Sequence, residues 1–328
     1  MNVKLDKKLL LRRRADGNAT NEDRNVHYFS MLSTDNNGRH FSLEKNYYLQ
    51  NHKLEKLSYR SEIVGSCNGI LCLKDGSGHG NAVLWNPLTD ELKSLPPSSI
   101  ERPAEARVRT FSACGFGFDA RSEDYKVARF VKNWFYYNNG CYKTTTHHFE
   151  LYSLKTDSWR PITAPQTDPW SSSSTSVNGS CYWYDRDCVL SFDFADEMFS
   201  RLPLPVPNPG GNTFHLFIDY DGSLGSIVYP WVAGRKRFDL WVWKNGSWSK
   251  VDSFALEDVR LPLGLWGRDQ CFLEGTNYQL LLFDLTTRVL KPLDIEDYED
   301  TMRLVPFVES TVSINGHSKV DQFFFVFF

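Results

Sequence analysis

The sequence predicts an all-β protein assembled from several similar small sheets, and three observations carry that expectation. Aromatic residues make up 15% of the 328-residue chain, a composition that favours strands over helices. A pattern recurs without gaps: LWNPLTDELKSL from Leu84, LYSLKTDSWRPI from Leu151, SFDFADEMFSRL from Ser191, LWVWKNGSWSKV from Leu240 and LFDLTTRVLKPL from Leu282. In each, a large aromatic stands second (Trp85, Tyr152, Phe192, Trp241, Phe283). A large apolar residue follows seven positions later (Leu92, Trp159, Phe199, Trp248, Leu290). The aromatics are spaced by 67, 40, 49 and 42 residues. A period in the forties with several strands per unit marks the blades of a β-propeller.

Each repeat reads as two short strands joined by a tight turn. Its middle lacks the apolar three- and four-residue spacing of a helix, and Thr156-Asp157 and Asn245-Gly246 tolerate turn dihedrals. The first strand is apolar at adjacent positions, as in Leu84-Trp85 and Leu151-Tyr152, so both of its faces are covered, as in a sheet wedged between two others. Tyr152 and Trp159 therefore read as packing between blades, with the polar run between them as an outer hairpin. The inner strands are GILCL at 69–73, CGFGF and YKVARFV at 114–131, SCYWY at 180–184 and GSLGSIVY at 222–229. The long first gap carries an extra segment, Lys132–His148.

Five repeats account for five blades, and an open ring would leave edge strands exposed. The expected sixth blade is a composite of the hairpin at 27–43, turning at Asn37-Gly38, and the strand-like stretch 304–314, with five or seven blades as the alternatives. The expected organisation is an N-terminal tail at 1–26, a propeller domain at 27–314 and a C-terminal tail at 315–328. The apolar run Phe323–Phe328 is an aggregation hazard if exposed. It reads as a read-through terminus or as a buried closing strand.

The net charge of −3 gives no global pull towards nucleic acid or a membrane surface. Seven scattered cysteines, no cleavable signal and no apolar run long enough for a membrane span point to a reduced compartment. The expected location is cytoplasmic and/or nuclear.

Constellations that could carry chemistry fail on context. Asp75–Gly80 is glycine-rich but lies between two strands, whereas a phosphate cradle needs a helix to follow. Cys67 and Cys72 have no second pair, so zinc spacing is not met. His147 and His148 are adjacent and point to opposite faces of a strand. Asp119, Glu123 and Asp124 beside Arg121 read as solvated turn carboxylates. No enzyme activity, cofactor or metal is expected. Binding is better supported. Trp134, Phe135, Tyr136 and Tyr137, beside Asn138, Asn139 and Gly140, combine rigid rings with small polar residues, as protein-binding surfaces do; alternatively these rings simply extend the strands. Trp170, Trp231 and Arg235 sit in two further loops, and the cluster Arg235-Lys236-Arg237 suits an acidic partner.

Several motifs in this order carry a resemblance: Gly65-Ser66-Cys67-Asn68-Gly69-Ile70-Leu71-Cys72, Leu84-Trp85-Asn86-Pro87-Leu88-Thr89, Gly115-Phe116-Gly117-Phe118-Asp119, Asp124-Tyr125-Lys126-Val127 and Leu151 through Arg160. Over residues 56–314 the chain resembles the F-box-associated domain of plant F-box, F-box/kelch-repeat and S-locus F-box-like proteins. That resemblance implies a substrate receptor of an SCF-type ubiquitin ligase. In such a receptor the F-box docks on a Skp-type adaptor and cullin, and the associated domain holds the client protein. Residues 1–55 show no apolar helical pattern of the F-box kind, so the adaptor-docking half is expected to be missing. The alternatives are a free-standing interaction scaffold or competitor, and a lectin-like or hydrolytic propeller.

Overall fold

The computed structural model of the protein describes residues 7–14, 27–35, 38, 40–48, 61–76, 80–106, 108–136, 142–167, 169, 174–208, 212–230, 232, 234–298 and 301–315. They form six four-stranded antiparallel sheets with no helix among them. Each sheet is a blade whose strands run outward from the centre. Blade 1 consists of Glu62–Cys67, Ile70–Lys74, Ala82–Asn86 and Glu91–Ser94. Blade 2 consists of Val108–Asp119, Asp124–Tyr136, Tyr142–Ser153 and Ser158–Ile162. Blades 3, 4 and 5 repeat the meander from Thr175 to Pro203, Thr213 to Leu256 and Val259 to Glu296. The first strand of every blade touches the first strand of the next, and that of blade 6 touches blade 1, so the ring closes.

Blade 6 is composite, as expected, but its make-up differs. Arg303–Val308 is innermost, followed by Lys7–Arg14, His27–Thr34 and Phe41–Tyr48. Residues 7–14, read as part of a tail, are thus a strand paired on both sides. Leu9, Leu10 and Leu11 are all fully buried. A leucine triplet suits a strand covered on both faces, and the arginines that follow it made it look like an exposed tail. Residues 309–314, read as part of the closing strand, leave the sheet after Val308 and cross to blade 1. There the Asn86 Nδ2 donates to the carbonyls of Ser310 and Val312 at 2.9 Å each. Glu91 accepts from the Ser313 hydroxyl and the Ile314 amide. The run Phe323–Phe328 lies outside the described residues.

Six apolar clusters fill the six gaps between blades. The repeat aromatics Trp85, Tyr152, Phe192 and Phe283 are buried in four of them. Register explains the sevenfold spacing. Trp85 lies opposite Leu92, Tyr152 opposite Trp159, Phe192 opposite Phe199 and Phe283 opposite Leu290 across the outer hairpin. The fourth repeat departs from the pattern. Its turn is the two-residue Asn245-Gly246, so Trp243 pairs with Trp248, while Trp241 faces Lys250 and is only half-buried. The gap-free alignment therefore misplaces the packing ring of blade 4, where Phe238, Leu240 and Val242 are buried instead.

Asx chemistry sets the turns. Asn68-Gly69, Asn178-Gly179, Asp221-Gly222 and Asn245-Gly246 all have positive φ at both positions, the signature of type I′ hairpins. In the longer turns a side-chain oxygen replaces the missing backbone acceptor. Asn86 receives the amides of Leu88 and Thr89, Asp193 those of Ala195 and Asp196, and Asp284 those of Thr286 and Thr287.

Candidate functional site

Strand polarity alternates in a meander, so every blade puts its second-to-third connection and its exit to the next blade on one side of the disc. The first-to-second and third-to-fourth turns lie on the other side. Residues 137–141 join the second and third strands of blade 2, residues 163–174 join blade 2 to blade 3, and residues 231–235 join the second and third strands of blade 4. The strand ends flanking all three segments therefore open on the same side, here called the loop face. Trp134, Phe135 and Tyr136 are strand residues of blade 2, so for these three the strand-extension reading describes their backbone. Trp134 and Phe135 are half-buried, and the Trp134 Nε1 donates to the Thr110 hydroxyl at 2.9 Å. Arg235 is exposed. Tyr137, Trp170 and Trp231 lie outside the described residues.

A buried cation props up the loop face at the junction of blades 1 and 2. The Arg129 guanidinium is 2% exposed. It donates to Glu150 Oε1 at 2.8 Å and to the Gly80 carbonyl at 2.7 Å, and it lies 3.8 Å from the Trp159 ring centroid and 4.2 Å from that of Phe111. Burial lowers its pKa and the Glu150 carboxylate opposes that shift. Glu150, fully buried, also accepts from the hydroxyls of Ser98 and Ser99 and from the Ser99 amide. Arg109 donates to Asn133 Oδ1 at 2.9 Å and to the Ile100 carbonyl at 2.7 Å. The linker at 95–106 is thereby fixed under the long hairpin of blade 2. Sequence reasoning missed this network, since its hydrogen-bonded partners lie up to 52 residues apart.

In blade 4 the basic cluster is less available than its sequence indicates. Lys236 is buried with its Nζ on the Arg260 carbonyl at 2.6 Å, and burial together with Arg260 lowers its pKa. Arg237 is held by Asp239 and Ser253, whereas Arg235 points to solvent. A ladder of rings, also missed, runs from Phe214 through Tyr229, Phe238 and Phe254 to Phe283 of blade 5. Successive centroids are 5.8, 5.9, 5.2 and 4.8 Å apart. Phe214 and Tyr229 are half-buried at its inner end, near the loop face.

A ring of six such blades with this motif order has a counterpart among protein families: the F-box associated beta propeller domain matches residues 21–314. The chain belongs to that family. Among its relatives, the Arabidopsis thaliana F-box protein At3g07870 is 28% identical over 278 residues, covering 71% of this chain and 63% of the relative. F-box protein CPR1 of the same plant is 25% identical over 281 residues, with 72% and 64% covered. The F-box/kelch-repeat protein At3g23880, also from that plant, is 28% identical over 216 residues, with 62% and 55% covered. The match to these relatives thus spans somewhat less than two thirds of their length.

Among the described residues, several side chains of this F-box-associated propeller that the sequence offered for chemistry have structural roles. Asp119 and Asp124, expected to be solvated, are 3% and 4% exposed. Asp119 accepts from the Lys126 Nζ at 2.8 Å, from the Ser122 hydroxyl and from two turn amides. Burial pushes its carboxyl up, but those donors outweigh burial and hold it at about 2. Asp124 accepts from the Ser153 hydroxyl at 2.5 Å and the Lys155 amide at 3.0 Å. Both carboxylates therefore anchor turns opposite the loop face. Burial pushes the Cys67 thiol up to about 12 and raises Cys72 and Cys181 well above the usual thiol range. His215 is buried, stacked 5.6 Å from Tyr184, and lowered by burial to about 4, which keeps it neutral. Among the described residues no three His, Cys, Asp or Glu side chains are placed to hold a metal ion.

Proposed function

We propose that this propeller is the client-holding part of an SCF-type ubiquitin ligase receptor and that it grips the client on its loop face. What supports the reading is that the strand ends flanking three connections rich in aromatic or basic residues open on one side of a disc of known family. On the opposite side the described connections are short turns, and residues 309–314 lie across those of blade 1. The relatives are named for their F-box, and an F-box is the segment through which a Skp-type adaptor and cullin would be recruited. The rigid, repetitive blades supply a platform, and the connections supply variation, as is usual where binding residues sit on loops.

Cross-linking with an amine-reactive reagent tests this. Full-length protein is incubated with plant extract, and cross-links to co-purifying proteins are mapped. Client cross-links are expected at Lys132 and Lys143, beside the loop face, and to be lost in a Trp231→Ala, Arg235→Ala double variant with an unchanged melting temperature. Cross-links concentrated at Lys93, Lys155 and Lys244, on the turn side, would overturn the assignment.

A further inference from the structure

The chain contains six Asn-Gly pairs. Asn37-Gly38, Asn139-Gly140 and Asn315-Gly316 fall wholly or partly outside the described residues. The other three, Asn68-Gly69, Asn178-Gly179 and Asn245-Gly246, are two-residue turns opposite the loop face, with both residues of each at positive φ.

An asparagine followed by glycine can lose its side-chain amide without an enzyme. The glycine nitrogen gives its proton to hydroxide and attacks the asparagine Cγ. The new N–C bond forms as the C–NH2 bond breaks, and ammonia leaves with a proton taken from water. One water then opens the five-membered imide at either carbonyl. The product is aspartate or, where the main chain now runs through Cβ, isoaspartate. Glycine allows the close approach because it carries no Cβ. The turn must still leave its left-handed conformation to bring nitrogen and Cγ together, so the rate in a folded protein depends on how freely the backbone can swing.

The three turns differ on that point. Gly69 is buried, and a Cβ built there would lie 2.9 Å from both the Ser310 nitrogen and the Val308 carbonyl, so the crossing segment pins the turn. Asn178 donates its Nδ2 to the Gly222 carbonyl of blade 4 at 2.5 Å, and the Gly179 carbonyl accepts from the Phe194 amide at 3.0 Å. Reaction at Asn178 must first break that contact between two blades. Asn245 and Gly246 are exposed, and nothing lies within 4 Å of a Cβ built at Gly246. Lys244 pairs with Ser247, and the two central amides of such a hairpin lie outside the ladder. The ladder therefore does not hold the Gly246 nitrogen, the nucleophile of the reaction.

We propose that Asn245 is a self-modifying site, converted in the folded protein to aspartate and isoaspartate ahead of Asn68 and Asn178, and that the change loosens the seam between blades 3 and 4. The inference is independent of the client-holding role above. Isoaspartate adds a main-chain atom to the turn that sets Trp243 opposite Trp248, with ring centroids 5.4 Å apart. The Trp248 Nε1 donates to the Pro203 carbonyl of blade 3 at 2.7 Å, and both rings pack against the apolar cluster between blades 3 and 4. Among the described residues that cluster has four buried members, the fewest of the six, so the seam has the least other packing to hold it.

The test ages full-length protein at mildly alkaline pH, with a parallel sample in urea. Digests are read by mass spectrometry for replacement of NH2 by OH and, from fragment spectra, for isoaspartate. In the folded protein Asn245 is expected to react at least roughly tenfold faster than Asn68 and Asn178, a difference of about 1.4 kcal/mol in barrier. In urea the three should react alike. A folded Asn68 or Asn178 as fast as Asn245, or an Asn245 still intact when the urea sample has fully reacted, overturns the site. Gly246→Ala should slow reaction at Asn245 and leave the other two unchanged, and an unchanged rate at Asn245 would count against the mechanism. The urea comparison uses the wild-type chain, so it remains decisive even if that variant misfolds. Hydrogen exchange over 198–204 and 241–248 is then compared between modified and unmodified wild-type fractions separated by charge. It should accelerate in the modified fraction, and identical exchange would overturn the loosening of the seam.

Discussion

Trp159 shows how one side chain joins several functions of the fold. Its ring packs 5.4 Å from Tyr152, its face carries the Arg129 guanidinium, and its Nε1 donates to the Pro96 carbonyl at 2.8 Å. Trp159→Ala is expected to cost about 3–5 kcal/mol, read as a fall in melting temperature, because the cavity adjoins a buried cation. Trp159→Phe keeps most of the contact area and loses the hydrogen bond, for about 1 kcal/mol. An unchanged melt for the alanine variant would contradict the packing role. Asp119 makes a prediction about pH. Its carboxyl is depressed to about 2 in the folded state. Its contribution is therefore complete above the unfolded value near 4 and is lost as pH falls through 2. Asp119→Asn should cost about 2 kcal/mol at neutral pH and almost nothing near pH 2, measured by urea titration at both. The sequence showed Trp159 correctly because a large ring at a repeated position has few uses other than packing. It hid Asp119 because turn carboxylates are usually wet. Lys126, which dries this one, becomes its neighbour only once the first two strands of blade 2 pair.

The hairpin is the scale at which the sequence was most legible, since turn chemistry and strand alternation are local. The one repeat that went wrong did so for a local reason as well. A type I′ turn is two residues shorter than its counterparts, so identical spacing in sequence became different register in space. The turns also differ in what a methyl group would do to them. Gly246 has φ 78° and open space around the position of a Cβ, so Gly246→Ala should cost only the conformational strain, about 1 kcal/mol. Gly69 has φ 79°, and its Cβ would lie 2.4 Å from the Ser310 Cβ and 2.9 Å from both the Ser310 nitrogen and the Val308 carbonyl. Gly69→Ala should therefore cost more and should also lift residues 309–314 off blade 1. Hydrogen exchange over 309–315 should accelerate in Gly69→Ala and not in Gly246→Ala. Equal exchange in the two would mean that the crossing segment is held independently of the Asn68-Gly69 turn.

At the scale of the whole molecule, the number of blades and the need for closure could be argued from repeats, but the identity of the closing strand could not. A strand that pairs with residues some three hundred positions away leaves no local trace beyond an apolar triplet. The family match begins at residue 21, yet Lys7–Arg14 lies between Arg303–Val308 and His27–Thr34 and pairs with both. Without it the two remaining parts of blade 6 face each other across a strand-wide gap of about 5 Å on each side. The buried Leu9, Leu10 and Leu11 would also be missing from the clusters that join blade 6 to blades 5 and 1. A protein trimmed to residues 21–314 keeps the whole family match and is expected to lose ring closure. It should melt well below the full chain, bind a hydrophobic dye and elute as aggregate in size-exclusion chromatography. Adding residues 1–20 back as a separate peptide should restore part of the melting temperature, because the gap has the register and apolar complementarity of the missing strand. A trimmed protein that stays monomeric with an unchanged melt would show that blade 6 closes without its N-terminal strand, and the composite blade would then be ornamental to stability.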